Sequence, residues 1–200
     1  LLHRLDYETS GLVFAALTQR VMDAMLTQQG RGLFVKDYEA IVCETGRKLP
    51  GFPPCPAIPA HGDGWARSFS LESGFRCYGA GRKAVRPVLS GGGNAGKYAV
   101  YQTEILDMEP AENPLWRVSP RLARGFRHQV RCHLAWLGIP ILGDILYGGK
   151  ASGGPLALRA AALSFFDPLS GDFKCHRLDP DQKMKRGKFP AELTPGEPKE

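Results

Sequence analysis

The chain has 200 residues, 43% of them apolar and 23% charged, a balance that excludes a disordered or collagen-like polymer and fits one globular domain with a loose tail. Lys and Arg outnumber Asp and Glu by 26 to 20, and the formal charge of +6 favours an anionic partner, nucleic acid first. The five cysteines (Cys43, Cys55, Cys77, Cys132, Cys175) are odd in number and never form a C-x-x-C pair, so free thiols in a reducing, cytoplasmic compartment are expected. Apolar runs such as 12–17 are far below the ~20 residues a membrane helix needs, and no membrane partner is expected.

Residues 12–17 read as a short buried strand. Thr18 then suits the N-cap of a helix to about Gln29, ended by Gly30, with Val21, Met22, Met25 and Leu26 as one apolar stripe in the core. Residues 36–44 (K-D-Y-E-A-I-V-C-E) are strand formers whose alternation places Tyr38, Ala40 and Val42 on one face. Over 46–70 the composition turns to Pro and Gly, a long loop of the kind that often covers a site. Residues 98–108 and 115–118 alternate as the strands of a hairpin. Residues 126–137 lack Gly and Pro and carry Val130, Leu134 and Leu137 at helical spacing, predicting an amphipathic helix with Arg124, Arg127 and Arg131 along a different face. A tight turn at G-I-P-I-L-G-D precedes a strand over 156–166 and its partner over 172–176, and beyond Arg177 the chain is rich in Pro, Lys and Glu. Helices and strands mix without βα alternation, which predicts an α+β domain with a mainly antiparallel sheet.

Several motifs fail on context. Gly91 to Lys97 matches G-x-x-x-x-G-K, but Tyr98 follows where Ser or Thr would hold Mg²⁺, so a hairpin loop is expected. His128 and His133 are five apart and do not stack on one helical face, so no metal site is expected. There is no G-x-S-x-G, and Cys132 and His133 are neighbours that point apart.

Two segments carry more. In Leu2-His-Arg-Leu-Asp6-Tyr-Glu-Thr-Ser-Gly, the residues His3, Arg4 and Asp6 sit in a polar loop before an apolar run; Asp6 either serves a site or accepts backbone N–H bonds from Glu8 or Thr9 in a turn. From Pro114 to Gly143 there is no acidic residue, while Arg117, Arg121, Arg124, Arg127 and Arg131 are present, with His128 and Gln129 interleaved. That run is either a solvated helix start or a phosphate-gripping surface. An arginine from the second segment would neutralise a carboxylate from the first, making the two interdependent.

His3 to Leu12 (H-R-L-D-Y-E-T-S-G-L), Lys36 to Val42 (K-D-Y-E-A-I-V) and Gly125 to Gly148 (G-F-R-H-Q-V-R-C-H-L-A-W-L-G-I-P-I-L-G-D-I-L-Y-G) resemble, in this order, the RluA-type RNA pseudouridine synthases. The H-Q-V-R-C-H run separates the chain from the related RsuA type. The resemblance implies an α+β pseudouridine-synthase-like catalytic domain with a central mixed, mainly antiparallel sheet and flanking helices. It also implies an isomerase that turns uridine into pseudouridine in structured rRNA or tRNA without a cofactor, acting as a monomer.

Under that resemblance Asp6 is the carboxylate that links covalently to the target uridine, and Arg131 pairs with it. Tyr38 stacks on the flipped uracil and helps remove the C5 proton. Arg4 enters the gap left by the flipped nucleotide, and His3, Arg124, Arg127, His128 and Gln129 hold RNA. Three positions depart from the family pattern and are expected to bear on substrate contacts: Phe126 stands at a usual Arg, Arg159 at a usual His, and Tyr101 at a usual Thr. The family's domain carries strands before H-R-L-D, so residues 1–177 are expected to be a catalytic domain lacking its N-terminal strands, and 178–200 a flexible charged tail. A silent RNA-binding relative and a small-molecule hydrolase using Asp6 and His128 are the rival readings.

Overall fold

Apolar and β-branched residues on both faces make β2 (Val35–Cys43) a central strand, and Ala40, Ile41, Val42 and Cys43 are all buried. The computed structural model describes residues 1–46, 48–56, 60–61, 64–65, 68–89, 97–111, 114–149 and 154–179. Among these, β2 is preceded by β1 (Ser10–Gly11) and α1 (Gln19–Gly30). It is followed by β3 (Ala60–His61), β4 (Gly64–Trp65), β5 (Phe69–Tyr78), β6 (Ala84–Val88), β7 (Tyr101–Pro110) and β8 (Leu115–Leu122). Then come α2 (Gln129–Trp136), β9 (Leu158–Phe166) and β10 (Phe173–Arg177). Short 3-10 turns lie at Ala80–Arg82 and Ile145–Tyr147.

Eight strands form one mixed sheet in the order β1-β9-β2-β8-β7-β5-β6, with β10 also on β9, and β3 and β4 pair separately. Among the described residues only the β1–β9 pair is parallel and every other strand pair is antiparallel, as the mixing of elements predicts. The β7–β8 hairpin, the β9–β10 pair and β2 lie where the alternation places them. One cluster of buried residues packs β2, β7, β8 and β9 against Val130, Leu134 and Leu137. Leu2, Met25, Phe34, Leu163 and Phe165 form another beneath α1.

Residues 12–17 are a correction. They form no strand: the ladder stops at Gly11, and Leu17 is exposed. The reason is competition for one edge: β1 pairs β9 at Arg159 and Ala160, and from Ala162 onward that edge belongs to β10. Gly11 is required where it stands, because a Cβ there would lie 2.3 Å from the Ala160 carbonyl oxygen and its φ is +116°. The close approach fixes where the loop carrying residues 3–9 enters the sheet.

Thr18 caps α1 as expected, its hydroxyl accepting the Val21 N–H at 3.3 Å. Of the stripe, Met25 is fully buried while Leu26 is 48% exposed, so the face is narrower than four residues. The helix expected over 126–137 begins only at Gln129, because His128 takes a left-handed φ of 56°. It is also not amphipathic, since all eight of its residues are buried. Arg124 and Arg127 therefore precede the helix rather than line one of its faces.

The glycine run at 91–96 lies outside the described residues, but it does not join a hairpin: β6 and β7 flank β5 on opposite sides. In the 46–70 segment, Pro53 and Pro54 carbonyls accept the Trp136 indole N–H at 2.9 and 3.2 Å, so that part covers the end of α2. The 180–200 part of the expected tail lies outside the described residues.

Candidate active site

The loop before β1 is closed by its own main chain. The Thr9 N–H donates to the Asp6 carbonyl at 3.0 Å, and Glu8 takes a φ of 70°. Because the carbonyl closes the turn, the Asp6 carboxylate is left to line a cavity of about 430 Å³ with Arg4, Lys36, Tyr38, His128 and Arg131.

Gln129 builds the opposite wall. Its side-chain oxygen accepts the Phe126 N–H at 2.9 Å, and its amide donates to the Gln102 carbonyl at 2.8 Å and the Thr103 hydroxyl at 3.1 Å. Gln129 is 2% exposed, so its polar atoms anchor the start of α2 to β7. This sharp entry turns His128 and Arg131 toward Asp6: Arg131 Nη1 lies 3.6 Å from Oδ2, and His128 Nε2 lies 3.9 Å from Oδ1. Both exceed hydrogen-bond length, and the carboxylate faces two positive or polar groups without being locked to either.

Asp144 holds Arg131 more tightly than Asp6 does, at 2.7 Å from Nε and 2.8 Å from Nη2. Asp144 is 1% exposed and caps the turn at Ile145–Tyr147 by accepting the Tyr147 N–H. The Tyr147 hydroxyl accepts the Val85 N–H at 2.8 Å and lies 3.2 Å from His128 Nδ1. Burial holds the His128 pKa below its ordinary value against the pull of Asp6, so the ring is neutral near pH 7.

Tyr38 leans on the main core, and burial first, then the Asp6 charge, pushes its phenol up to about 12. Lys36, two residues before it, is 4% exposed, and burial lowers its pKa. His3 accepts the Phe14 N–H at Nε2 (3.2 Å) and rests 5.5 Å from the Phe34 ring, which pins the loop to the chain beyond β1. Arg4 is exposed at the cavity mouth. Arg127 also lines the cavity and donates from Nη2 to the Arg82 and Ala84 carbonyls at 2.8 and 3.3 Å. Arg124 lies outside the lining, its guanidinium 5.9 Å over the Tyr101 ring. Among the described residues no cluster of His, Cys, Asp or Glu could hold a metal.

The three departures resolve into two internal contacts. Tyr101 and Phe126 lie 5.1 Å apart, and Phe126 stacks on Phe75 at 5.1 Å and 7°. Arg159 is 7% exposed and pairs at 2.5 Å with Glu39, its register partner on β2. The expectation that these positions contact substrate is corrected for Arg159, which is spent inside the sheet. Sequence reasoning missed Lys36, Asp144 and Tyr147. The signal for Asp144 was present, as the first acid after the acid-free stretch.

A family model described as RNA pseudouridylate synthase matches residues 1–136. Over 92% of its length the chain is 26% identical to the ribosomal large subunit pseudouridine synthase D of Vibrio cholerae, covering 54% of that protein. Over 85% of its length it is 28% identical to the uncharacterized RNA pseudouridine synthase YjbO of Bacillus subtilis, covering 51% of it. The chain thus spans about half the length of these curated relatives. Its fold is similar to that of human RNA Pseudouridylate Synthase Domain Containing 1, with a TM-score of 0.63 at 20% identity over 90% of this chain and 68% of that one. It is similar also to human RNA Pseudouridylate Synthase Domain Containing 4, with a TM-score of 0.61 at 19% identity over 96% and 72% of the two chains.

Proposed function

The chain belongs to the RNA pseudouridylate synthase family, and on that premise we propose that it isomerises uridine to pseudouridine in structured rRNA or tRNA, with Asp6 as nucleophile. The observation that carries this reading is convergence: Asp6, Tyr38 and Arg131 come from three distant segments and line one cavity, with Arg131 Nη1 3.6 Å from the Asp6 carboxylate.

The reaction conserves atoms and electrons. The bond from C1′ of ribose to N1 of uracil breaks, one from C1′ to C5 forms, C5 loses a proton and N1 gains one, so no redox partner or cofactor is required. Asp6 supplies the transient covalent partner that splits the exchange into two easier steps. Arg131 aims that carboxylate, its Nη1 turned toward Oδ2. Tyr38 walls the base with its ring, and its neutral hydroxyl serves as a relay for the C5 proton.

A base inside a duplex cannot reach Asp6, so the target nucleotide is flipped out, and exposed Arg4 at the mouth fills the gap. Arg124, Arg127, His128 and His3 add contacts around the entrance, while Gln129 acts through the position of α2. The domain acts as a monomer in a reducing, cytoplasmic setting, a reading supported by all five cysteines being free.

Tritium release from RNA labelled at C5 of uridine tests the reading, using this chain and its Asp6→Asn variant on total rRNA and tRNA. Release that requires Asp6 is expected. Folded protein that binds RNA without release would instead make the chain a silent RNA-binding relative.

A further inference from the structure

A second concavity, of about 360 Å³, is lined by Arg76 of β5 and Arg86 of β6 together with Tyr98 and Phe52. Arg76 and Arg86 are direct register partners across these strands. Like charges so placed destabilise a sheet. No carboxylate offsets them, since neither arginine makes an ion pair among the described residues. Arg86 is nevertheless held in place. Arg86 donates from Nη1 to the Gly51 carbonyl at 3.0 Å, and its guanidinium lies 5.7 Å from the centre of the Tyr78 ring.

Two glycines make the room. A Cβ on Gly51 would stand 2.5 Å from Arg86 Nη1, and one on Gly74 would stand 2.7 Å from the Cβ of Tyr98. The groove also adjoins the candidate active site through the chain itself. The Ala84 carbonyl accepts Arg127, which lines the Asp6 cavity, and Arg86 follows two residues later, about 7 Å along the same strand.

We propose that this groove is a second RNA-contact surface that takes a single-stranded segment of the substrate flanking the flipped nucleotide. The Arg76–Arg86 pair holds phosphate, and Tyr98 and Phe52 offer ring faces to the bases. Guanidinium forks match phosphate oxygens, and unstacked bases pack on aromatic rings whatever their identity. A paired duplex keeps its bases stacked on one another, so the occupant is unpaired RNA. The inference rests on the reading that the chain acts on RNA, and it adds where the flank of that RNA runs.

The test compares wild type with R76Q/R86Q and Y98A, measuring RNA affinity across a salt series and tritium release at saturating RNA. The R76Q/R86Q variant is expected to bind a target RNA with a single-stranded flank about 10-fold more weakly. Its slope of log affinity against log salt should be shallower by about 1.4, at ~0.7 per single-strand phosphate contact. Maximal release is expected to be unchanged, and so is affinity for the same target trimmed of its flank. Y98A is expected to weaken binding with the salt slope intact. Removing facing like charges leaves the fold sound, which thermal melting checks, and Y98A tests the groove without altering charge. Wild-type affinity and slope in R76Q/R86Q, with Y98A also unaffected, would overturn the proposal. If wild type releases no tritium while the variants still lose RNA affinity, the function reading fails and the groove stands.

Discussion

Asp144 grips Arg131 through both carboxylate oxygens, at 2.7 and 2.8 Å, and turns the remaining Nη1 toward Asp6 at 3.6 Å. The arginine is thus neutralised from inside the fold, and its approach to Asp6 is a matter of aim. In Asp144→Asn the cap oxygen for Tyr147 is kept but the buried charge of Arg131 loses its partner, a change that costs about 3–5 kcal/mol. The urea midpoint is expected to fall, and tritium release to fall with it under conditions where the variant is still folded. An unchanged midpoint would mean that Arg131 is balanced chiefly by Asp6.

Tyr38 separates the ring from the hydroxyl. Since its phenol is pushed up to about 12 and burial keeps His128 neutral, neither group changes charge between about pH 7 and 9, and turnover is expected to be flat there. Tyr38→Phe keeps the wall and removes the relay, so RNA affinity is expected to hold while turnover drops by ~10²-fold or more. Equal losses in affinity and turnover would assign Tyr38 to packing alone.

Much of this site was legible in the sequence because its parts sit in short segments of unusual composition. Asp6 lies in a polar loop before an apolar run, Tyr38 in an alternating strand, and Arg131 in a stretch free of acids. What the sequence hid was decided between elements. Residues 12–17 are an apolar run that reads as a buried strand yet lose their edge to β10, which no local pattern reveals. The start of α2 depends on Gln129 reaching β7, and the departures at Phe126 and Tyr101 make sense only once the two rings touch. Asp144 escaped notice because its partner is 13 residues away, across a turn.

Gly11 links the sheet to the Asp6 loop. In Gly11→Ala the new Cβ meets the Ala160 oxygen at 2.3 Å and nitrogen at 2.6 Å in a backbone conformation that alanine disfavours. A strained residue of this kind costs about 1–3 kcal/mol, and β1 must draw back from β9 to relieve it. Lower stability and a clear loss of tritium release are expected together. Gly30→Ala, with nothing within 4 Å of the added carbon, is the matched control and is expected to keep both. A fully active Gly11→Ala would show that the Asp6 loop is set by His3 and Leu2 instead.

His133 sets an acid limit on the fold. It is fully buried in α2, its ring nitrogens 2.9 Å from the Ser73 hydroxyl and 2.8 Å from that of Thr103, and burial pushes its pKa down to about 3. In the unfolded chain the imidazole titrates near 6.5, so between about 6.5 and 3 the unfolded state binds a proton that the folded state refuses. Stability is therefore full above 6.5 and falls as pH drops through that window, by about 1.4 kcal/mol per unit from this group. Urea unfolding at pH 6.5 and 4.5 is expected to show a loss in wild type that is about 2–3 kcal/mol larger than in His133→Gln, since carboxylates contribute alike to both. The wild-type His133 ring resonance is expected not to titrate above pH 4.5. A ring that takes up its proton near pH 6 in the folded protein would overturn the assignment.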